Sequence, residues 1–184
     1  SEEEIRRLIG EQTRVIDLEG RLAIPGFIEG HGHFLGVGDS AMQLDLRQAK
    51  TWDEIVALVA KAAATLEPGT LIRGRGWHQE KWTTAPRGAI DGLPRHEDLS
   101  AASPEHPVIL THASGHATFA NAKAMELSGI DADTAPPEGG EIIRDPAGAP
   151  TGAVRETASR LRGPAYLRSR GADPRQMATE AVEA

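Results

Sequence analysis

The sequence predicts an α/β fold containing parallel strands, and three observations carry that expectation. An apolar run leaving the Pro25-Gly26 turn at Phe27-Ile28, an amphipathic stretch from Thr51 to Leu66 and a second apolar run from Thr70 to Arg73 succeed one another as strand, helix and strand. Two strands joined through a helix lie parallel, with a right-handed crossover. Further on, Glu141 to Arg144 and Thr151 to Arg155 flank Asp145-Pro146-Ala147-Gly148, a β-hairpin pattern that adds an antiparallel pair.

Each element has a local reason. Ser1 with Glu4 makes a capping box for a short helix running through Ile5, Leu8 and Ile9 to Gly10. Thr13 to Leu18 and Leu22 to Ile24, joined by Glu19-Gly20, read as a hairpin, and the strand that carries His31 and His33 follows. Thr51-Trp52-Asp53-Glu54 is a second capping box; behind it Ile55, Leu58, Val59, Ala62 and Leu66 share one helical face, and Pro68-Gly69 closes the helix. Pro107 to Thr111 is a short strand, and Asn121 to Gly129 a helix with a good cap and a good terminator. Asp173-Pro174-Arg175-Gln176 starts a last helix.

Composition excludes several function classes. The 184 residues are 39% hydrophobic and 26% charged, ordinary for a globular chain of about one domain. A formal charge of −7 and the lack of a Lys/Arg cluster argue against nucleic acid. There is no cysteine, which removes disulfides, thiolate zinc sites and a cysteine nucleophile. No run approaches the roughly 20 apolar residues of a membrane span, and the acidic start Ser1-Glu2-Glu3-Glu4 has no signal-peptide pattern, so the expected location is cytoplasmic.

The chemistry concentrates in His31-Gly32-His33. Strand side chains alternate faces, so both imidazoles point one way and can offer two ligands to a first-row metal. Composition alone would put a His-x-His in about one such chain in four, so the placement after Pro25-Gly26-Phe27-Ile28 is what gives the pair weight. His112 and His116 have the spacing of a helical zinc pair, but Ser114-Gly115 between them argues against a helix.

The wider context resembles a known family. Val15 to Ile28 followed by His-x-His is similar to the run into the first barrel strand of the metal-dependent amidohydrolase superfamily. Gly74-Arg75-Gly76-Trp77-His78-Gln79-Glu80-Lys81-Trp82 resembles the Gly-x-Gly-Trp…Trp stretch of its YtcJ-like branch, the amidohydrolase 3 family. Ser114-Gly115-His116 with Asn121 and Ala124, then Gly139 to Asp145 and Pro150-Thr151-Gly152-Ala153-Val154-Arg155-Glu156, follow in that branch's order.

The resemblance implies a partial (β/α)8 TIM barrel with a remnant of a small β domain and an inserted α+β segment. Residues 1–24 would end the small β-sandwich domain, 25–82 form the first βα units, 83–155 the insert, and 156–184 the next barrel helices. A whole barrel takes about 250 residues, so the chain is expected to be an internal, by itself inactive, piece of a larger enzyme. The implied activity is hydrolysis of a non-peptide C–N amide bond by metal-activated water, on one or two divalent metals such as Zn2+. His31 and His33 would be metal ligands; Glu156, at the Thr-Gly-x-x-x-Glu position, would join them, and with His116, facing the substrate carbonyl or the tetrahedral intermediate, would make the catalytic set. Trp77, His78 and Trp82 would contact substrate. The general-base aspartate and two further histidines belong to later strands.

Plainer roles stand beside these. Glu156 could be a solvated helix-start carboxylate, and Trp77 and Trp82 ordinary core residues. Asn121 reads as a helix cap; His96 and His106 read as loop residues without a role. This chain has Glu29 and His78 where relatives often have Asp, and Asp or Asn; His112 inherits nothing. The alternatives are deamination or cyclic-amide opening at the same metal site, or a non-catalytic piece that self-associates or needs a complementing half. The expected partner is a small-molecule amide, with a homo-oligomer possible, and neither nucleic acid nor membrane.

Overall fold

A computed structural model describes residues 2–28 and 34–168, with 179, 182 and 183, and gives Phe34 and Leu35 by backbone only. It divides into two units, residues 1–32 and 33–184.

In the first unit, α1 (Glu2–Arg6) is pinned by exposed i, i+4 ion pairs, Arg6–Glu2 at 2.7 Å and Arg7–Glu3 at 2.9 Å. It ends before Leu8 and Ile9, short of the expected Gly10. The expected hairpin is absent as well. Its turn forms, with Glu19 and Gly20 at positive φ and Arg21 N–H donating to Leu18 O at 2.9 Å, but no ladder grows from it. Val15, Ile16, Leu22 and Ile24 are all exposed, so the two arms have no third strand or apolar face to lie on. An isolated two-stranded pair is marginal in water. Pro25 to Ile28 likewise form no strand, and the rest of that expected strand lies outside the described residues.

In the second unit, α2 (Phe34–Ala41) leads to β1 (Leu44–Asp45), α3 (Trp52–Ala63), β2 (Ile72–Trp77), α4 (Glu97–Ala102) and β3 (Val108–His112). Then come β4 (Ala117–Ala120), α5 (Ala122–Ser128), β5 (Gly140–Arg144), β6 (Pro150–Glu156) and α6 (Gly163–Arg168). One six-stranded sheet runs in the order β1-β2-β3-β4-β6-β5. β1, β2 and β3 are parallel; β4, β6 and β5 are antiparallel. The parallel crossover is therefore real but begins at β1, seventeen residues after Phe27. The hairpin of β5 and β6 is as expected; α4 and β4 are additions, too short and too poor in periodicity to stand out in the sequence.

The sheet is buried on both sides of its centre. In β3, Val108 and Leu110 face Trp52, Ile55 and Val59 of α3, while Ile109 faces Ala124 and Met125 of α5. This explains the unbroken apolar run Val108-Ile109-Leu110. The face of α3 is shifted from the periodicity: Trp52, Ile55 and Val59 are buried, whereas Leu58 and Leu66 stay exposed. The cap works as a near-box, with Thr51 Oγ1 accepting from Glu54 N at 3.1 Å and Glu54 Oε2 from Lys50 N at 2.7 Å.

Asn121 caps α5 and does more. Its Oδ1 accepts from Ala124 N at 2.9 Å and Val108 N at 3.0 Å, and its Nδ2 donates to His106 O, Ser103 Oγ and Ser103 O at 2.8, 3.1 and 3.2 Å. His106, expected to be an idle loop residue, is buried here with Nδ1 3.0 Å from Thr70 O. Gly152, at φ 99°, brings β6 so close to β4 that a Cβ would stand 2.4 Å from Ala120 O.

Asn121→Ala is expected to lower unfolding stability by about 3 kcal/mol, combining a lost cap with unpaired buried amides; urea unfolding measures it. Gly152→Ala should cost at least about 1–3 kcal/mol through φ strain and the clash, read the same way.

Candidate active site

The parallel strands deliver their last residues to one end of the sheet, the carboxyl end at which α/β folds place their sites. Trp77 ends β2 and pairs in register with His112, which ends β3. Trp77 is 1% exposed, its indole N–H donates to Leu110 O at 3.1 Å, and its ring meets Trp82 at 6.0 Å and His112 edge-on at 4.6 Å. Trp82 is half-buried and also touches Trp52, with ring centres 5.9 Å apart. His78 caps the single turn Gln79–Lys81, and its ring lies 4.7 Å from that of His112.

After β3 the chain reverses through Ser114 and Gly115, the latter at φ 80°. His112 Nδ1 faces two donors of Ser114, the hydroxyl at 2.8 Å and the backbone N–H at 3.1 Å, and Ser114 Oγ accepts from His116 N at 3.1 Å. The antiparallel pairing of β4 with β6 then sets His116 opposite Glu156. Glu156 N donates to His116 O at 2.8 Å, and His116 Nδ1 lies 3.0 Å from Glu156 Oε2. These side chains are 70% and 56% exposed, so the contact adds under about 1 kcal/mol to stability. Glu156 sits at φ 50°, a conformation that costs about 1–3 kcal/mol in a residue with a side chain.

Among the expected site residues, the structure joins His116 to Glu156 and gathers Trp77 with them around a cleft of about 230 Å³, which His78 and Trp82 do not line; His112, expected to have no role, lines it as well. His31 and His33 lie outside the described residues. Among the described residues no three His, Cys, Asp or Glu side chains come together as a metal site. Sequence reasoning passed over Gln79, Ser114 and Arg155, which also line the cleft; a serine two residues after His112, in a turn, was the available sign for Ser114. A second cleft of about 250 Å³ opens beside β1 and β2, where Arg47 holds the Asp45 carboxyl down to about 2.

Burial, helped by the nearby His78, holds the His112 imidazole below its ordinary range, against a small opposing pull from Glu80.

A model of the amidohydrolase family matches residues 14–184. N-substituted formamide deformylase of Arthrobacter pascens is 32% identical over 163 residues, which is 88% of this chain and 29% of that protein. The YtcJ protein of Bacillus subtilis is 33% identical over 150 residues, 82% of this chain and 27% of the relative. Among solved structures, an uncharacterized metal-dependent hydrolase from Pyrococcus furiosus superposes with a TM-score of 0.57 at 25% identity, covering 86% of this chain and 29% of the other. The chain spans less than a third of each of these proteins.

A histidine whose folded pKa lies below its unfolded one binds fewer protons when folded, so it adds stability that fades as pH falls below the unfolded value near 6.5. Unfolding free energy is therefore expected to drop from neutral pH toward the mid-acid range, with a shallower slope in His112→Asn. The lowered carboxylates Asp45 and Asp145 act in a separate window, below the ordinary value of 3.8. Urea titrations across pH, on both proteins, read the difference.

Proposed function

Because the chain belongs to the amidohydrolase family, in its YtcJ-like branch, we propose that it forms part of an enzyme that hydrolyses a non-peptide C–N amide bond with one or two divalent metals, zinc foremost. The observation that supports it is the His116–Glu156 pair at the strand ends, on a cleft large enough for a small amide. The run β1-α3-β2-α4-β3 we read as βα units of a (β/α)8 barrel, in keeping with its parallel order.

The donors fit a metal in part. Glu156 turns Oε2 to His116 and leaves Oε1 as a hard oxygen ligand, while the described residues bring no third donor to it. In this reading His31 and His33, the ligands that the His-x-His motif implies, would complete the set. A bound metal would polarise the scissile carbonyl and lower the pKa of a water. The protein's own part is proton handling. A carboxylate only accepts, so the neutral His116 carries its proton on Nδ1 and leaves Nε2 as a proton acceptor. Once protonated there, the ring can donate to a developing oxyanion. The general base, as the resemblance implies it, is an aspartate of a later barrel strand.

A second reading, a non-catalytic piece that self-associates, is favoured by one observation: Phe27 and Ile28 are 99% and 96% exposed, with Leu22 at 86%.

Equilibrium dialysis should find zinc bound stoichiometrically to the chain, with affinity down by about tenfold or more in His31→Ala/His33→Ala and in Glu156→Gln. A metal-free chain that elutes as a dimer on size exclusion, with no variant changing its zinc content, would favour the second reading.

A further inference from the structure

Two buried polar atoms beside the cleft have no partner: His112 Nε2 and Gln79 Oε1. His112 is only 8% exposed, and both residues line the cleft shared with His116 and Glu156. The protonation of His112 follows from its neighbours. A backbone N–H can only donate, so Ser114 N at 3.1 Å makes His112 Nδ1 an acceptor, and the Ser114 hydroxyl at 2.8 Å supplies a second hydrogen bond to the same lone pair's side of the ring. The single proton of the neutral ring therefore sits on Nε2. Burial disfavours the protonated ring, so in the neutral ring Nε2–H is an uncharged donor without an acceptor, and Gln79 Oε1 is an uncharged acceptor without a donor.

We propose that His112 and Gln79 form a subsite for an uncharged secondary amide, His112 Nε2–H donating to its carbonyl oxygen and Gln79 Oε1 accepting from its N–H. The amide group offers one acceptor and one donor, the complement of the two orphaned atoms. A carboxylate offers no N–H to Gln79 and would set its negative charge against the Gln79 Oε1 acceptor. Trp77 and Leu93, on the same cleft, give apolar wall for the substituent. Ser114 is a positioning residue that fixes the tautomer. The subsite rests on the proposed amide chemistry for its occupant, whereas its geometry stands independently of any metal.

Long-range 1H–15N spectra of the labelled chain near neutral pH read the His112 tautomer directly. The expected free state is the Nε2–H form, and titration with N-methylacetamide should shift His112 Nε2 and the Gln79 amide together and saturably. N,N-dimethylacetamide, which lacks the N–H, should bind about tenfold more weakly, and acetate should leave both signals in place. Gln79→Met should bring the first two probes to equal affinity, and Ser114→Ala, which keeps the backbone N–H on His112 Nδ1, should leave the Nε2–H tautomer in place. A proton found on Nδ1, or His112 and Gln79 closed on each other and unmoved by N-methylacetamide, would overturn the subsite. A chain that binds no zinc yet shows these shifts would sink the metal reading alone; zinc bound stoichiometrically with His112 and Gln79 unmoved by N-methylacetamide would sink only the subsite.

Discussion

The side chain of Asn121 is the constraint on which the rest of the second unit depends. It is fully buried and fills all its hydrogen-bonding capacity, reaching the start of β3, the first turn of α5 and the Ser103–His106 loop at once. An amide in that position has to be satisfied, since each unmet buried group costs about 1–3 kcal/mol. The requirement fixes where β3 begins. Four residues later, at about 3.3 Å each, the strand ends at His112, so the lock at one end of β3 sets the position of the cleft at the other.

The cleft lies where the two halves of the sheet meet. β3 is parallel to β2 and antiparallel to β4, so its last residue stands beside the end of one strand and the start of another. Trp77 arrives from the parallel side and His116 from the antiparallel side, with Ser114 and Gly115 reversing the chain between them. The exposed His116–Glu156 pair contributes little to stability, and Glu156 holds an unfavourable φ. Its cost is borne by the β4–β6 ladder and by Glu156 N–H on His116 O. A strained carboxylate held by its backbone at the rim of a cleft is better placed for chemistry than for folding.

The sequence made legible whatever depends on neighbours a few residues apart. The caps at Thr51 and Asn121, the αL terminator Gly129 and the hairpin around Asp145-Gly148 all close locally, and all are present. What failed depends on distant support. The Thr13 to Ile24 hairpin has its turn but nothing to lie on, and Leu58 has the right spacing for a face that Trp52 takes instead. Trp52 was hidden because its place in the capping pattern accounted for it; its ring in fact meets Phe119, 67 residues on, at 4.9 Å. In the site, motif order marked His116 and Glu156 and the register pairs them. His112 and Gln79 took no role from the motifs around them, and only burial without a partner marks them.

The two histidines of the cleft show how little sequence is needed to separate their chemistry. His112 and His116 lie four residues apart, and Ser114 touches both, by its hydroxyl to the ring of one and to the backbone N–H of the other. Ser114 N–H forces the His112 proton onto Nε2, and the Glu156 carboxylate draws the His116 proton onto Nδ1. Each ring then offers the opposite face of the same group at its remaining nitrogen, a donor on the buried side and an acceptor on the open side. Neither assignment follows from the imidazole itself, and neither needs a charge to be buried. A cleft that must hold a polar carbonyl at one point and receive a proton at another can draw both functions from identical side chains, provided that the backbone turn between them supplies one donor and the far strand one carboxylate.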